Sequence, residues 1–425
     1  MAQAQHSVEA VIITIGDELL IGQTVDTNSA FIARALNKIG IWVRQRVAVP
    51  DDQEQILKTL ADGAAQARVV IITGGLGPTA DDITKPTLCT YFGCGLRLDE
   101  EVLKNVTKIF ARLGREVTDR NRQQAMVPEA CTVLPNQRGT APGMAFEQKG
   151  VLYFSLPGVP SEMEGLMNDA VIPVLQEKLQ LPVIIHKTTV TMGQGESFIA
   201  DKLQDFEAGL PPHIKLAYLP NYGIVKLRLT AKGSNPKILE KEVTEKQQQL
   251  KNLLQEYVVA DEDQTLAEVV GNLLQKHQRF MCTAESCTGG YIAHLFTQRS
   301  GASHTFKGSV VSYSNEVKEA TLDVQHATLV TYGAVSEETV REMVAHARVL
   351  LKCDYAVATS GIMGPEGGTK EKPVGTVWVG VADADEVRSQ KFMVYRGQRQ
   401  KNIEQAAILA INMLRKFILE KEEGS

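Results

Sequence analysis

Apolar and polar positions along this chain follow two periods, one typical of strands and the other of helices. In the first third, short runs rich in Val and Ile predict strands at residues 8–15, 43–49, 69–73 and 151–156. Amphipathic patterns between them predict helices at residues 29–38, 53–67, 100–113 and 161–179, the last with Ser161 as its cap. Strands that alternate with helices favour a parallel sheet covered by helices.

After Pro182 the pattern changes to an α+β mixture. Strand-like runs at 186–192 and 224–231 accompany helix-like stretches at 196–206 and 236–255. This middle stretch is short, and an acidic segment follows it. It predicts a small domain of its own.

Regular alternation resumes after Thr265. Helices are predicted at 266–277, from 290 onward, at 336–352 and at 402–419. Strands are predicted up to 284 and at 309–313, 355–359, 375–382 and 391–395. We therefore predict a multidomain α/β protein, with an α/β domain at 1–180, an α+β domain at 181–260 and a second α/β domain at 261–425.

Composition narrows the class of protein without changing this layout. The 425 residues are 44% apolar and 22% charged, which is ordinary for a soluble globular protein. The net charge of −5 gives no basic surface for nucleic acid. The sequence lacks a signal peptide and any apolar run near about 18 residues, so we expect a cytoplasmic protein without a membrane partner. The six cysteines form no CxxC pair and are expected to be free thiols.

Candidate chemistry begins where a predicted strand ends, in "VIITGGLGPTADDIT". Gly74, Gly75 and Gly77 can bring backbone N–H groups close to a phosphate. The carboxylates of Asp81 and Asp82 can hold a divalent cation beside it.

Other acidic turns follow neighbouring predicted strands. "TIGDELLIGQTVDTNS" offers Asp17 and Asn28, and "VPDDQEQI" offers Asp52. Helix capping is the alternative for Asn28 and Asp52. Because ligands bind at the carboxyl edge of a parallel sheet, we expect these residues to converge there. The combination predicts metal-assisted chemistry on a nucleotide diphosphate or a phosphorylated pterin.

A second constellation lies in "TAESCTGG", between a predicted strand and a predicted helix. Ser286 and Cys287 are adjacent potential nucleophiles. The backbone N–H groups of Thr288, Gly289 and Gly290 at a helix N-terminus can stabilise an oxyanion. The alternative for Ser286 is a helix cap. Cys287 lacks an evident His partner and is expected to pack in the interior.

A serine nucleophile needs a base, and the histidines form no triad pattern. Lys318 falls in the first turn of a predicted helix, where the dipole and burial lower a lysine pKa, although a solvated lysine is the alternative. Ser360 and Gly361 follow another predicted strand and can shape a pocket. Arg396 and Arg399 come after a late strand, and either can bind a phosphate through two hydrogen bonds.

Several of these stretches are similar to one family, the competence/damage-inducible CinA proteins. "TIGDELLIGQTVDTNS", "TGGLGPTADDIT" and "LPGVPSEM" resemble its molybdopterin-binding-like N-terminal domain. "AESCTGG", "YSNEVK", "SGIMGP" and "KPVGTVW" resemble its C-terminal amidohydrolase domain, which also occurs as a stand-alone nicotinamide mononucleotide deamidase. The middle stretch resembles its KH-type linker but lacks a GxxG with basic flanks, so we expect no nucleic-acid binding.

The resemblance implies roles for individual residues. Ser286 is the implied nucleophile, Lys318 the base, Tyr313 a pocket or catalytic helper and Arg399 the substrate anchor. Met363 stands where the family has a small residue, a change that can narrow the pocket.

In the N-terminal domain, the resemblance puts Asp82 on the metal and phosphate side. It puts Asp51 or Asp52 at a second acidic position.

The implied function is that of a bifunctional enzyme of pyridine-nucleotide salvage. The C-terminal domain would hydrolyse nicotinamide mononucleotide to nicotinate mononucleotide and ammonia without a cofactor. The N-terminal domain would be an ADP-ribose pyrophosphatase that depends on a divalent metal ion. A homodimer is expected. The alternatives are a non-catalytic protein that binds a competence or DNA-damage partner, and an N-terminal domain that binds molybdopterin.

Overall fold

The computed structural model describes residues 8–79, 82–221, 223–394 and 397–424. The chain forms two compact units. The first contains the residues up to Ile185 together with Ala231–Glu242, and the second contains His186–Thr230 and the residues from Val243 on. Among the described helices, none combines the length and the apolar character needed to cross a membrane.

The N-terminal region consists of eight strands and eight helices among its described residues. The strands are β1 Glu9–Ile15, β2 Trp42–Val49, β3 Val69–Thr73, β4 Leu96–Leu98, β5 Met126–Pro128, β6 Thr132–Leu134, β7 Gly143–Gln148 and β8 Val151–Leu156. The helices are α1 Asp17–Leu20, α2 Thr27–Lys38, α3 Gln53–Gln66, α4 Thr84–Phe92, α5 Glu100–Arg112, α6 Asp119–Gln123, α7 Pro160–Leu166 and α8 Ile172–Lys178. A π-helical turn, Met167–Val171, joins the last two.

Six of these strands form one sheet in the order β2-β1-β3-β8-β7-β6. The first four run parallel, which confirms the predicted parallel sheet. Alternate residues of β1 enter the two cores that cover the sheet: Ala10 and Ile12 pack on one face, and Val11 and Ile13 on the other. The turns after β1, β2, β3 and β8 therefore share the carboxyl edge.

This region differs from the prediction in the start of one helix and in several added elements, among them α1, α4, α6, β4 and β5. Strands β6 and β7 extend the sheet in antiparallel fashion and were not predicted. The helix expected to be capped by Ser161 begins instead at Pro160, with Val159 at the N-cap and no side-chain cap. Proline suits the first helical position because its missing N–H would have no partner there.

The middle segment contains β9 Val183–Met192, α9 Glu196–Ala208, β10 Ile214–Asn221, β11 Ile224–Gly233, α10 Pro236–Leu253 and β12 Val258–Ala260. Its four strands pair in the order β10-β11-β9-β12. Strands β10 and β12 were not predicted. Within the second unit, Val190, Met192 and Val259 of this segment share a core with residues of the C-terminal region.

The C-terminal region contains five strands and six helices among its described residues. The strands are β13 Met281–Glu285, β14 Phe306–Val311, β15 Tyr355–Gly361, β16 Thr376–Ala382 and β17 Val387–Met393. The helices are α11 Leu266–Lys276, α12 Tyr291–Thr297, α13 Asn315–Leu322, α14 His326–Tyr332, α15 Glu337–Leu351 and α16 Arg399–Glu423.

These strands form a mixed sheet in the order β14-β13-β15-β16-β17. Strand β13 runs parallel to both of its neighbours, whereas β16 and β17 are antiparallel. Met281 of β13 enters the core on one face of the sheet, and Cys282 and Ala284 enter the core on the other. The residues that follow β13 therefore lie beside the carboxyl ends of β14 and β15.

The Gly74 turn after β3 depends on a close backbone approach, and it gives a test of the N-terminal sheet edge. Gly74 has φ +114°, and a Cβ there would lie 2.2 Å from the carbonyl oxygen of Ile15. Gly93 also has positive φ, at +66°, but a Cβ there meets no atom within 4 Å. We expect Gly93→Ala to lose about 1–2 kcal/mol of unfolding free energy from its backbone conformation alone. Gly74→Ala should lose clearly more.

Urea unfolding measures both variants through Trp42 fluorescence, in a shared Trp378→Phe background that removes the other tryptophan. Equal losses for the two variants would contradict the close approach at Gly74.

Candidate active site

Ser286 lies directly after β13, an interior strand of its sheet. Its backbone N–H donates to the carbonyl oxygen of Thr359 on β15 at 3.0 Å, which ties the turn to the sheet. The residue is 8% exposed. The hydroxyl is therefore largely enclosed by protein at the carboxyl edge of the sheet.

Lys318 lies in the first turn of α13, and its ammonium group reaches Ser286. Its Nζ is 3.1 Å from Ser286 Oγ, 2.8 Å from the carbonyl oxygen of Ser312 and 3.1 Å from that of Tyr313. Ser314 caps this helix by accepting from the N–H of Val317. The helix begins at Asn315 and carries Lys318 in its first turn, as predicted.

The environment of Lys318 favours the neutral amine. The residue is 1% exposed, and burial lowers the pKa of its side chain, while Cys287 and Glu316 act weakly in the opposite direction. The carbonyl oxygens of Ser312 and Tyr313 can accept the two hydrogens of a neutral amine. The remaining position on Nζ, occupied by the lone pair in the neutral form, then faces Ser286 Oγ. This arrangement can accept a proton from the serine hydroxyl.

Cys287, the adjacent candidate nucleophile, packs in the core as expected. Burial raises the pKa of its thiol to about 12. A thiol with that pKa is protonated near neutral pH, and the thiolate is the nucleophilic form. The geometry therefore favours Ser286 over Cys287.

The backbone N–H groups of the turn are arranged differently from the expectation. Gly289 donates its N–H to the carbonyl oxygen of Ser286 at 3.2 Å, and Gly290 donates to the carboxylate of Glu285 at 3.0 Å. These two N–H groups are already engaged within the protein. The hydroxyl of Thr288 pairs with that of Thr359 at 2.7 Å, so its side chain braces the turn against β15.

Tyr313 and Arg399 meet at the exposed side of the site. Arg399 is the first residue of α16, and its guanidinium donates to the phenol oxygen of Tyr313 and to the carbonyl oxygen of Gly364, both at 2.9 Å. Tyr313 is 61% exposed. An arginine held by two neutral acceptors keeps its positive charge available for an anion. Arg396 lies outside the described residues.

The residues after β15 support the backbone of the site. The buried hydroxyl of Ser360 donates to the carbonyl oxygen of Ala334 at 2.6 Å. A Cβ at Gly361 would lie 2.7 Å from the carbonyl oxygen of Thr376, so this position requires glycine. The side chain of Met363 is buried in the core. Its carbonyl oxygen accepts from Asn402 of α16 at 3.0 Å.

In the N-terminal domain, Asn28 joins two strand-end turns. Its amide donates to the carbonyl oxygen of Gly158 at 2.7 Å and to the hydroxyl of Thr73 at 3.2 Å. Asp26 caps helix α2, so Asn28 is not the cap. Asn28 and Gly74 line one cavity of about 120 Å³. The Asn28 Oδ1 atom is buried without a partner in the described part of the chain, as an acceptor for a ligand donor would be.

The predicted metal ligands that the structure describes, Asp17, Asp52 and Asp82, form no comparable cluster. The carboxylate of Asp82 accepts from the N–H groups of Gly77 and Thr79, at 2.7 and 2.8 Å, so it holds its own loop and engages the Gly77 N–H. Asp52 caps α3 by accepting from Gln55 at 2.9 Å, which supports the capping alternative.

Asp17 lies at the start of α1, and its N–H donates to Asp51 at 3.3 Å. Asp81 lies outside the described residues. Within the described ranges no group of three or more His, Cys, Asp or Glu side chains is placed to hold a metal ion. The carboxylates observed therefore do not fit a preformed metal site.

Gly75, the remaining glycine of this loop, has φ +62° and packs against Thr84, whose N–H donates to the Gly75 carbonyl oxygen at 3.3 Å. A Cβ at Gly75 would lie 2.2 Å from the hydroxyl of Thr84. The turn is thus closed onto the start of α4.

Sequence reasoning missed two buried polar clusters. Glu285 was not selected, although an acid between a buried strand and a small-residue turn is an unusual placement. Asn136 and Glu162 were also missed as a pair: the Asn136 amide donates to Glu162 at 2.6 Å, and burial raises the pKa of this carboxyl. The signal was the turn "PNQRGTAPG", which precedes β7.

A cavity of about 640 Å³ lies within the second unit, between the turn at 193–196 and helix α16. Ser286, Lys318, Tyr313 and Arg399 do not line it. This cavity is therefore separate from the buried contact between Ser286 and Lys318.

Comparison with known proteins gives the same three-part layout. A model described as the probable molybdopterin binding domain matches residues 11–177, the damage-inducible protein CinA KH domain matches 186–260, and the CinA C-terminal domain matches 263–418. A CinA-like protein of Cytophaga hutchinsonii is 46% identical over 97% of this chain and 98% of its own length. One of Flavobacterium psychrophilum is 45% identical over 97% and 99%. These matches confirm the predicted order of domain types.

Burial of Lys318 predicts a pH-dependent contribution to stability. Its folded-state pKa lies below the ordinary value of 10.5, so between these two values the unfolded chain binds more protons. The stability of the wild type relative to Lys318→Met should therefore rise with pH across this window. Below the window the buried ammonium imposes its full cost.

Urea unfolding of both proteins from pH 7 to pH 10, followed through Trp378 in a Trp42→Phe background, measures this difference. Groups common to both proteins cancel. A difference that stays constant or falls with pH would contradict a lowered pKa.

Proposed function

The chain belongs to the CinA family, and from that premise we propose that its C-terminal domain is a Ser/Lys amidohydrolase acting on nicotinamide mononucleotide. The observation that carries the proposal is the 3.1 Å contact between Lys318 Nζ and Ser286 Oγ in a buried setting. A lysine used only for solubility would not be buried against a serine hydroxyl. This contact supports the assignment of Ser286 as nucleophile and Lys318 as base.

The phosphate of the substrate is assigned to Arg399. Its guanidinium carries the positive charge at the exposed side of the site, and its contacts there are the neutral oxygens of Tyr313 and Gly364. A phosphate binds more strongly than either neutral acceptor, because both partners are charged. Tyr313 then remains beside the bound nucleotide as a pocket residue.

The reaction proceeds in two stages, which are formation of an ester on Ser286 and hydrolysis of that ester. Ser286 Oγ attacks the carboxamide carbon while the neutral Lys318 amine takes its proton. The tetrahedral intermediate collapses as Lys318 returns that proton to the leaving nitrogen, which departs as ammonia and leaves an ester on Ser286. Water then attacks the ester carbon while Lys318 takes its proton. Lys318 passes that proton to Ser286 Oγ as the ester bond breaks and nicotinate mononucleotide leaves.

Turnover of nicotinamide mononucleotide by the full chain tests this proposal. Wild type should release one ammonia for each nicotinate mononucleotide formed, with both products quantified together. Ser286→Ala should lower kcat by at least about 10³-fold. Lys318→Met should lower it by roughly 10²–10⁴-fold, the usual contribution of a general base.

Cys287→Ala is the matched control, because it alters the neighbouring side chain and leaves the Ser–Lys contact. It should retain most activity. Absence of ammonia from the wild type would reject the amidase and favour the non-catalytic, partner-binding alternative. Loss of turnover in Cys287→Ala with activity retained in Ser286→Ala would reject the assigned nucleophile.

For the N-terminal domain we propose hydrolysis of the pyrophosphate of ADP-ribose. The cavity lined by Asn28 and Gly74 supports a ligand at the carboxyl edge of the sheet, and the unpartnered Oδ1 of Asn28 offers an acceptor to it. The dependence on a divalent metal ion remains a prediction, since the carboxylate of Asp52 caps a helix and that of Asp82 holds its own loop.

Molybdopterin binding is the second candidate for this domain. The family model that matches residues 11–177 carries that ligand in its description. If the domain binds molybdopterin and releases no AMP from ADP-ribose, the result would favour the pterin as its ligand.

Release of AMP from ADP-ribose, with and without added Mg²⁺ or Mn²⁺, tests the N-terminal proposal. Asp82→Ala should abolish most activity, because three acceptor contacts that hold the 77–79 loop disappear. Asp52→Asn is the control: asparagine caps a helix about as well as aspartate, so activity should be kept. Undiminished activity in Asp82→Ala would remove Asp82 from the site, and activity in excess EDTA would remove the metal requirement.

A further inference from the structure

Glu285, the last residue of β13, is completely buried immediately before the proposed nucleophile. Its carboxylate accepts from the N–H groups of Gly290, Ile292 and Ala293, at 3.0, 3.0 and 2.8 Å. A side chain at the end of a strand thus caps the free N–H groups at the N-terminus of the next helix, α12. Gly290 is the N-cap residue of α12, and Ile292 and Ala293 lie in its first turn. The N-cap residue itself makes no side-chain hydrogen bond to this helix.

Neighbouring hydroxyl groups extend this network into the sheet. Thr283 donates to the Glu285 carboxylate at 3.1 Å, and its hydroxyl is 2.7 Å from that of Ser309 on β14. All of these contacts lie on the face of the sheet that carries α12. A buried carboxylate is costly unless it is fully hydrogen-bonded, and here the backbone of one turn supplies most of the donors.

The Glu285 contacts decide which N–H groups of the turn remain for a substrate. Gly290 donates to Glu285 and Gly289 donates to the carbonyl oxygen of Ser286. The N–H groups of Cys287 and Thr288 have no backbone acceptor in the described ranges. They belong to the two residues that directly follow Ser286 in the chain.

We propose that Glu285 is a positioning residue that holds the 286–290 turn so that the N–H groups of Cys287 and Thr288 stabilise the oxyanion formed on the substrate amide. The inference rests on the proposed amidase. Glu285 does not touch the substrate. It acts by accepting hydrogen bonds from the N–H groups at the N-terminus of α12. These hydrogen bonds fix the turn to the start of the helix. The oxyanion site then consists of the N–H groups of Cys287 and Thr288.

Glu285→Gln tests this role in the full chain. The amide keeps the shape of the side chain but replaces one acceptor oxygen by an NH2 group that cannot accept from the backbone. The turn should shift, and kcat for nicotinamide mononucleotide should fall by roughly 10- to 100-fold, the scale expected for misplacement of catalytic groups. KM should stay within about twofold, because Arg399 binds the phosphate independently of the turn.

Thr283→Val is the matched control. It removes one donor to the same carboxylate and leaves all three N–H contacts, so kcat should stay within about threefold of the wild type. Both variants should lose thermal stability. A merely structural role for Glu285 would lower Tm in both variants and leave kcat per folded molecule unchanged in both, which would overturn the proposal.

Two further measurements keep the test decisive. If Glu285→Gln does not fold, Glu285→Asp replaces it, since the shorter side chain keeps the charge but withdraws it from the N–H groups; wild-type kcat in that variant would overturn the proposal. If wild type does not turn over nicotinamide mononucleotide, the rate of Ser286 modification by a fluorophosphonate is measured by intact mass instead.

Slower modification in Glu285→Gln than in Thr283→Val would then support the positioning role while the assigned substrate fails. Equal rates in both variants, or no modification of the wild type, would overturn the positioning role.

Discussion

The C-terminal site depends on the burial of one lysine side chain against one serine hydroxyl. Lys318 is held from three directions: its own helix starts at the Ser314 cap, and the carbonyl oxygens of Ser312 and Tyr313 accept from its Nζ. Ser312 in turn donates its N–H to the carbonyl oxygen of Glu285 at 2.9 Å, at the ends of two paired strands. The sheet order β14-β13-β15 thus brings residues separated by 32 positions into one contact. Any change that exposed Lys318 to water would return its pKa toward the ordinary range and remove the base.

Much of the fold follows from local pattern, because strands and helices of this chain bury regular apolar faces. The parallel strands β1, β2, β3 and β8 were predicted, and each is rich in Val, Ile or Leu. The antiparallel strands β6 and β7 were not, since Thr132–Leu134 is only three residues long and Gly143–Gln148 begins with glycine. Their strand conformation comes from pairing with β8, and such non-local pairing leaves little trace in a short sequence window.

At the candidate site, the sequence could identify Ser286 and Lys318 as residue types in suitable local positions, but it could not measure their separation. The direction of the backbone N–H groups in the turn could not be predicted from the sequence either. Gly290 adopts φ +92°, and this left-handed residue turns its N–H toward Glu285 instead of toward the solvent side. Met363 illustrates the same limit: a larger residue near a pocket motif suggested a narrower pocket, whereas the side chain turns into the core.

Both outer domains use carboxylates to stabilise turns at the ends of strands. Such carboxylates support the backbone of a site, and they differ from polar groups that are still able to bind a ligand. Asp82 accepts from Gly77 and Thr79 much as Glu285 accepts from the start of α12, so the hydrogen-bonding capacity of each carboxylate is largely used within the protein. Asn28 differs, because its amide nitrogen has two partners while its buried Oδ1 has none among the described residues. A buried acceptor without a partner costs free energy unless a ligand or water supplies a donor. At the N-terminal sheet edge, the unpartnered oxygen of Asn28 is therefore the more direct evidence for a ligand. The number of acidic residues there is weaker evidence for a metal ion.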